Sequence, residues 1–149
     1  MHPNVIDDPQ AITDLLAKTK RIAVLGIKTE QAAGQPAFTV PEYLAGVGYD
    51  VEPVPVYYPD ATEILGRKVY RSLVEVSRAV GPIDMVDVFR RPQDLDAHLD
   101  DILAAKPKSV WLQLGIQKDS FAETLAEAGI TVVQNRCLLV EVQMRRRGL

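Results

Sequence analysis

Short apolar runs alternate with amphipathic segments along the chain. Unbroken apolar runs are typical of strands buried on both faces of a parallel sheet, and a 3.6-residue apolar period is typical of the helices that cover it. The pattern predicts strands at residues 21–25, 49–54, 83–89, 110–116 and 130–133, with a turn and a short edge strand within 64–70. It predicts helices at residues 9–16, 38–46, 72–76, 93–105, 119–128 and 138–142. This alternation predicts the fold class α/β, as a single-domain Rossmann-type doubly wound, mostly parallel sheet with helices on both faces.

Prolines indicate where the first two helices begin. Asp8 followed by Pro9 is typical of an N-cap and a first helical turn. A proline inside a helix removes a backbone hydrogen bond, so Pro41 is expected in the first turn of the second helix. That helix is therefore predicted to begin near Phe38 or Thr39.

The composition narrows the classes of function. A length of 149 residues with 47% hydrophobic and 25% charged residues predicts one globular domain spanning residues 1–149. A net charge of −3 argues against a nucleic-acid binder, which is normally basic. The single cysteine, Cys137, excludes an internal disulfide, and with two histidines it leaves no cluster of metal-ligand spacing. We find neither a secretory signal nor an apolar run long enough to span a membrane, and expect a cytoplasmic protein.

The first strand ends at Gly26, and a strand, a glycine turn and a helix form the first half of a nucleotide-binding unit. The nicotinamide-dinucleotide fingerprint requires two further glycines soon afterwards and an acidic residue at the end of the second strand. Here the next glycine is Gly34, and the late acid of the second strand, Glu52, lies inside it. The lysine-containing phosphate loop of nucleoside triphosphatases is also absent. These patterns argue against both kinds of nucleotide site.

Several motifs resemble the small, stand-alone CoA-binding proteins, which are similar in turn to the CoA-binding domain of the succinyl-CoA synthetase α subunit. The resemblance covers about residues 12 to 143, with the motifs in family order: Ile22–Gly26, Tyr43-Leu44 with Gly48–Val51, Glu63–Gly66, Val86–Arg90, Val110–Ile116 and Asn135–Cys137. The segment Val110–Ile116 is the most specific of them. The resemblance implies a Rossmann-type fold that holds CoA or an acyl-CoA.

A CoA site should combine helix N-terminal amides, cations for the phosphates and an apolar slot, at the carboxyl ends of the strands. Phosphate contacts are predicted for the turn after the first strand, and for one member of a pair of adjacent arginines. The end of the second strand is predicted to wall the adenine, and the end of the fifth to contact the pantetheine arm. The predicted ligand-binding residues are Gly26, Ile27, Lys28, Thr29, Pro53, Val54, Pro55, Phe89, Arg90, Arg91, Gln113, Gly115 and Ile116.

The chain departs from the family pattern at four places. Relatives usually have Gly-Ala-Ser where this chain has Gly26-Ile27-Lys28, and an Asn-Pro pair where it has Val56–Pro59. Asn135 stands where aspartate is usual, and Val142 where histidine often occurs. The first two departures lie in the expected pocket, so they bear on ligand affinity.

No catalytic or metal-binding residue is predicted. Cys137 lies near a predicted helix start, where thiols are often reactive, but a lone cysteine is more often part of the core. His98 lies among acidic residues on a predicted amphipathic helix, so we expect it on the surface. Asp84 and Asp87 are three residues apart in a strand and therefore face opposite sides, which argues against a paired acid and base.

Three hypotheses of function remain. The leading one is a CoA-binding protein without chemistry of its own. The second is a CoA-binding subunit of an acyl-CoA synthetase or transferase, which would need a partner chain to supply the phosphorylated histidine. The third is a nicotinamide-dinucleotide-binding Rossmann protein. We expect a small-molecule ligand, no nucleic acid and no membrane, and leave a protein partner open.

Overall fold

The computed structural model describes residues 1–148, in which seven strands occur. They are β1 (Arg21–Leu25), β2 (Asp50–Val54), β3 (Glu63–Ile64), β4 (Arg67–Lys68), β5 (Met85–Val88), β6 (Ser109–Leu112) and β7 (Thr131–Val133). Five of them form a parallel sheet in the order β2-β1-β5-β6-β7, which confirms the predicted sheet. Residues 64–70, predicted to hold a turn and a short edge strand, hold both, with the turn at Leu65 and Gly66 and the strand at β4. Leu65 and Gly66 both have positive φ angles and turn this segment into the antiparallel hairpin β3–β4.

Helices cover both faces of the parallel sheet. The α-helices are α1 (Pro9–Ala17), α2 (Pro36–Gly46), α3 (Leu73–Val80), α4 (Leu99–Ala105), α5 (Asp119–Glu127) and α6 (Leu138–Arg146). Successive strand residues point to opposite faces, so Ile22 and Val24 of β1 share a core with α1, α2 and α6. Ala23 and Leu25 share the other core with α3, α4 and α5. This arrangement confirms the doubly wound fold.

The order of the strands creates a switch point between β1 and β5. From β1 the chain passes to β2 on one side, and after the hairpin and α3 it returns to add β5 on the other side of β1. The segments that leave β1 and β5 therefore diverge at the carboxyl edge of the sheet. Such divergence opens the crevice in which open α/β sheets bind ligands.

The start of α2 differs from the prediction. The helix begins at Pro36, so Pro41 lies in its interior. Proline at this position leaves the carbonyl of Ala37 without its usual helical donor. The N–H of Lys28 donates to that carbonyl at 3.1 Å, so the loop after β1 replaces the missing hydrogen bond. The predicted boundary is wrong because the donor that replaces the missing helical hydrogen bond is Lys28, a residue outside the helix.

The segment predicted as one helix at residues 93–105 has two parts. A 3₁₀ helix spans Pro92–His98, and α4 follows it at Leu99–Ala105. The 3₁₀ helix brings His98 back toward the exit of β5, where it contacts Arg90.

The prediction of the first helix is confirmed, since Asp8 caps α1 by accepting the N–H of Ala11 at 2.9 Å.

Candidate functional site

A cleft of about 360 Å³ lies at the carboxyl edge of the sheet, where the segments leaving β1, β5 and β6 meet the first turn of α2. Its position is the switch point of the sheet. We call it the switch-point cleft, and it is lined by Lys28, Gln35, Pro36, Ala37, Phe89, Arg90, Arg91, Pro92, Leu114, Gly115 and Ile116. Of the residues predicted to bind a ligand, Lys28, Phe89, Arg90, Arg91, Gly115 and Ile116 are thus brought together here.

The turn at Gly26, which follows β1, packs between the exits of β2 and β5. Its N–H donates to the carbonyl of Val54 at 2.9 Å, and a Cβ added to it would lie 2.4 Å from the carbonyl oxygen of Phe89. The next residue, Ile27, is buried in the core. The N–H groups of Gly26 and Lys28 already donate to backbone carbonyls. These two amides are therefore not free to make the phosphate contacts predicted for them.

The side chain of Lys28 is the cation on the β1 side of the cleft. Its ammonium donates to the side-chain oxygen of Gln35, the residue that precedes α2. Gln35 makes no side-chain capping bond to α2, so its amide oxygen serves to hold the lysine. This pair places a positive charge beside the N-terminus of α2, where the helix dipole also favours an anion.

Arg90 is a largely enclosed cation of the cleft, with only 14% of its side chain exposed. Its Nε donates to Nε2 of His98 at 3.1 Å, and its guanidinium lies 5.6 Å from the centre of the Tyr57 ring. The predicted surface position of His98 is therefore wrong, because the 3₁₀ helix turns this residue toward Arg90. Burial, followed by the charge of Arg90, lowers the pKa of His98, which keeps its ring neutral and able to accept this bond.

Arg91 is arranged differently from its neighbour. Its side chain is 71% exposed, and its Nε donates to Oδ2 of Asp94 at 2.8 Å. The same carboxylate lies 4.0 Å from the guanidinium of Arg90. The hydrogen bond from Arg91 lowers the pKa of Asp94, so this carboxylate stays ionised and offsets part of the positive charge at the cleft.

The β6 side of the cleft is apolar. Leu114 is 69% exposed, although it lies only two residues after a strand whose residues are all buried. Gly115 and Ile116 complete this rim, and the N–H of Gly115 donates to the side chain of Asn135 at 2.7 Å. Asn135 itself adopts a positive φ of 58°, which asparagine tolerates better than most residues. The position at which relatives usually carry aspartate thus supports the loop that presents the apolar rim.

Gln113 points away from the cleft and into the sheet. It is buried, and its Nε2 donates to Oδ1 of Asp87 at 2.6 Å. Its Oε1 accepts the N–H of Leu138, the first residue of α6, at 3.3 Å. Burial raises the pKa of Asp87 to about 7, and its Oδ2 has no hydrogen-bond partner among residues 1–148. The side-chain contact predicted between Gln113 and the pantetheine arm is therefore replaced by a hydrogen-bonded chain within the core.

The remaining predicted residues lie outside the cleft. Pro53, Val54 and Pro55 are buried, so they offer no free wall for an adenine. Thr29 lines a neighbouring depression with Tyr58 and other residues of the loop after β2. The strand exit at β2 is covered because the hairpin β3–β4 packs against it, with the N–H of Tyr70 donating to the carbonyl of Pro53 at 2.9 Å.

Sequence reasoning missed the part of the cleft that α2 and the tip of β6 supply. Gln35, Pro36, Ala37, Pro92 and Leu114 line it without having been predicted. The alternation of side chains past β6 was an available signal, because it turns Gln113 inward and Leu114 outward. No local signal indicated that Tyr57 and His98 would contact Arg90.

The described residues contain neither a metal-binding cluster nor a membrane-spanning helix. In residues 1–148, no group of three or more His, Cys, Asp or Glu side chains is arranged to hold a metal ion. Within the same range, no helix is long and apolar enough to cross a membrane.

Cys137 is the N-cap residue of α6 and packs partly buried against the core, close to where its motif predicts a helix start.

The chain is similar to known proteins over most of its length. A family model described as "CoA binding domain" matches residues 20–143. The uncharacterized protein YneT of Bacillus subtilis (strain 168) is 33% identical over 129 residues, covering 87% of this chain and 90% of YneT. The structure of cell-free ID.343 from Thermus thermophilus is 40% identical with a TM-score of 0.81, covering 92% of this chain and 98% of that one. A hypothetical protein from Pyrococcus horikoshii OT3 is 28% identical with a TM-score of 0.78, covering 98% and 95%.

Proposed function

Because this chain belongs to the CoA-binding domain family, we propose that it binds coenzyme A or an acyl-CoA in the switch-point cleft and performs no chemistry of its own. The observation that carries the proposal is the lining of the cleft. Three cationic side chains, Lys28, Arg90 and Arg91, surround an opening whose other walls are largely apolar. A ligand with several phosphates and a long, weakly polar arm matches this distribution.

The residues fit CoA in two separable ways. Lys28 and the N-terminus of α2 stand together on one side of the cleft, which suits a diphosphate. Leu114 and Ile116 lie on the opposite side and suit the pantetheine arm. An exposed leucine at a strand exit gains free energy when a ligand covers it, at about 25 cal/mol per Å² of apolar surface.

The geometry around β2 supports CoA over a nicotinamide dinucleotide. A dinucleotide site uses a free acid at the end of the second strand to bind the ribose hydroxyls. The acid in this strand, Glu52, is buried, and one of its oxygens lies 3.2 Å from the guanidinium of Arg67. Its carboxylate is therefore engaged in an ion pair between β2 and the hairpin.

The types of residue in the cleft support holding a ligand over transforming it. No acid, histidine, cysteine, serine or threonine is among the described residues that line it. Proton transfer and acyl transfer use such groups or a lysine beside the reacting atoms, and the one lysine in the lining, Lys28, donates its ammonium to Gln35. His98 lies behind Arg90 and uses its Nε2 to hold that side chain.

Titration calorimetry with CoA, acetyl-CoA, NAD and ATP tests the proposal. We expect CoA and acetyl-CoA to bind more tightly than NAD or ATP, since only the first two carry the pantetheine arm that the apolar rim can contact. Binding of neither CoA species at millimolar concentration would overturn the proposal. Preferential binding of NAD would favour the dinucleotide hypothesis.

A partner chain has its own test. Purification from the native source, followed by an assay for CoA-dependent ATP turnover, distinguishes a lone binding protein from a synthetase subunit. We expect the chain to elute without a stoichiometric partner and to support no turnover. Co-elution with a nucleotide-binding chain, together with turnover, would favour the subunit hypothesis and contradict the absence of chemistry.

Replacing Lys28 with alanine is expected to weaken CoA binding about tenfold. A charge-assisted hydrogen bond to a phosphate contributes about 1.5–3 kcal/mol, and 1.4 kcal/mol corresponds to a factor of ten. Calorimetry at two salt concentrations measures the loss, and the variant should also show a weaker salt dependence. The matched control is Lys18→Ala, because Lys18 is exposed at the end of α1, next to the amino edge of the sheet. Equal losses in both variants would indicate general attraction in place of a site at Lys28.

A further inference from the structure

The loop that follows β2 is held in shape by one arginine. The guanidinium of Arg71 donates to the backbone carbonyls of Tyr57 at 3.3 Å, Tyr58 at 2.8 Å, Pro59 at 3.1 Å and Ala61 at 2.9 Å. Within this loop Tyr58 has a positive φ of 62°, a conformation that costs free energy in a residue with a side chain. A guanidinium with several carbonyl partners fixes the loop in this shape.

The fixed loop presents Tyr57 beside the switch-point cleft. Tyr57 is 64% exposed, and one face of its ring is occupied by the guanidinium of Arg90 at 5.6 Å from the ring centre. Its hydroxyl lies 3.5 Å from a terminal nitrogen of the same arginine. The backbone of Tyr57 is held by Arg71 and its ring by Arg90, so an exposed aromatic side chain has little freedom to lose when a ligand covers it.

We propose that Tyr57, backed by Arg90, is the platform on which the purine ring of the ligand stacks. This inference rests on the proposed function, because it takes the ligand of the cleft to be a nucleotide with a purine base. Rigid, exposed aromatic rings bind bases through their π-faces, and a guanidinium on the opposite face strengthens the stack. The platform lies next to the cation-lined part of the cleft, since Arg90 belongs to both.

Tyr57 takes the role that was predicted for the end of β2. The end of β2 was predicted to contact the adenine, yet Pro53, Val54 and Pro55 are buried. Tyr57 stands two residues farther along, where the chain emerges from beneath the hairpin. It also belongs to the segment that departs from the family pattern, so the contact is a property of this chain's own residues.

The test compares two ligands, CoA and 4′-phosphopantetheine, which carries the same arm without the adenosine portion. Calorimetry is performed on the full chain, with circular dichroism to verify the fold of each variant. Tyr57→Ala is expected to weaken CoA binding about tenfold and 4′-phosphopantetheine binding less than twofold. Tyr57→Phe retains the ring and should keep CoA affinity within twofold of wild type. Tyr57→Leu retains apolar bulk without a π-face and should behave like the alanine variant.

Two further variants separate stacking from general effects. Arg71→Ala frees the loop and should reproduce the selective loss of CoA affinity without removing the tyrosine. Tyr70→Ala is the matched control, because Tyr70 also lies near a cation, with the Lys68 ammonium 5.5 Å from its ring centre, but Lys68, unlike Arg90, does not line the cleft. This control should leave the affinities for both ligands unchanged.

The possible results distinguish the failure of the two proposals. If neither ligand binds wild-type protein, the proposed function fails, and the platform fails with it. If both bind and Tyr57→Ala lowers both affinities equally, or lowers neither, a ligand occupies the cleft and Tyr57 is not its purine platform. A Tyr57→Leu variant with wild-type affinity for CoA would likewise overturn the stacking proposal.

Discussion

Replacing Gly26 with alanine is expected to lower the free energy of unfolding by about 3 kcal/mol or more. Two costs combine at this position. Gly26 has a φ of +86°, which strains any residue with a Cβ, and the added Cβ would lie 2.4 Å from the carbonyl oxygen of Phe89. That oxygen belongs to the backbone at the exit of β5, so relief requires the two strand ends to separate. Urea unfolding monitored by circular dichroism measures the loss.

Gly115→Ala is the matched control for this prediction. Gly115 has the same φ of +86°, but an added Cβ would meet no heavy atom of the described chain within 4 Å. This variant therefore reports the backbone cost alone, which we expect to be about 1 kcal/mol. The difference between the two variants measures the contact with Phe89. Equal losses would show that the approach of β1 to β5 imposes no steric requirement for glycine.

Asp87 is expected to make the protein less stable at pH 8 than at pH 5. Burial raises its pKa from 3.8 to about 7, so the folded state binds the proton more tightly than the unfolded state does. Between these two pKa values the free energy of unfolding falls as pH rises, and this group alone should lower it by about 2.5 kcal/mol from pH 5 to pH 8. Asp87→Asn cannot titrate and should remove that part of the pH dependence. Urea unfolding of both proteins at several pH values measures it.

Asp84→Asn is the control for the pH profile. Asp84 directly precedes β5, but its pKa is lowered, whereas that of Asp87 is raised. Burial raises the pKa of Asp84, but hydrogen bonds from the N–H groups of Arg21 and Lys20, together with Lys108, outweigh it and lower the pKa. Its contribution to stability is present above pH ~4 and is lost at lower pH. Its replacement should leave the difference between pH 5 and pH 8 unchanged. If Asp87→Asn keeps the wild-type profile, Asp87 is not the group responsible.

The position of a residue at the end of a strand could be predicted from the sequence, whereas the direction in which its side chain points could not. Lys28, Arg90 and Gly115 follow buried strands, and the carboxyl ends of parallel strands necessarily meet at one edge, so their proximity could be predicted. The orientation of Gln113 could not be predicted with the same rule. It depends on Asp87, which lies 26 positions earlier in the chain and offers a carboxylate inside the sheet.

The sequence by itself determined the α/β class, the parallel sheet and the presence of helices on both faces, because apolar periodicity is a local property that burial enforces. It also indicated that Lys28, Arg90 and Arg91 follow strands whose carboxyl ends meet at one edge of the sheet. The tertiary structure alone decided which groups remain available at the cleft. The N–H groups of Gly26 and Lys28 bond to carbonyls of β2 and α2, and Tyr57 reaches the cleft through a loop held by Arg71. These hydrogen bonds join residues distant in sequence, so no local pattern specifies them.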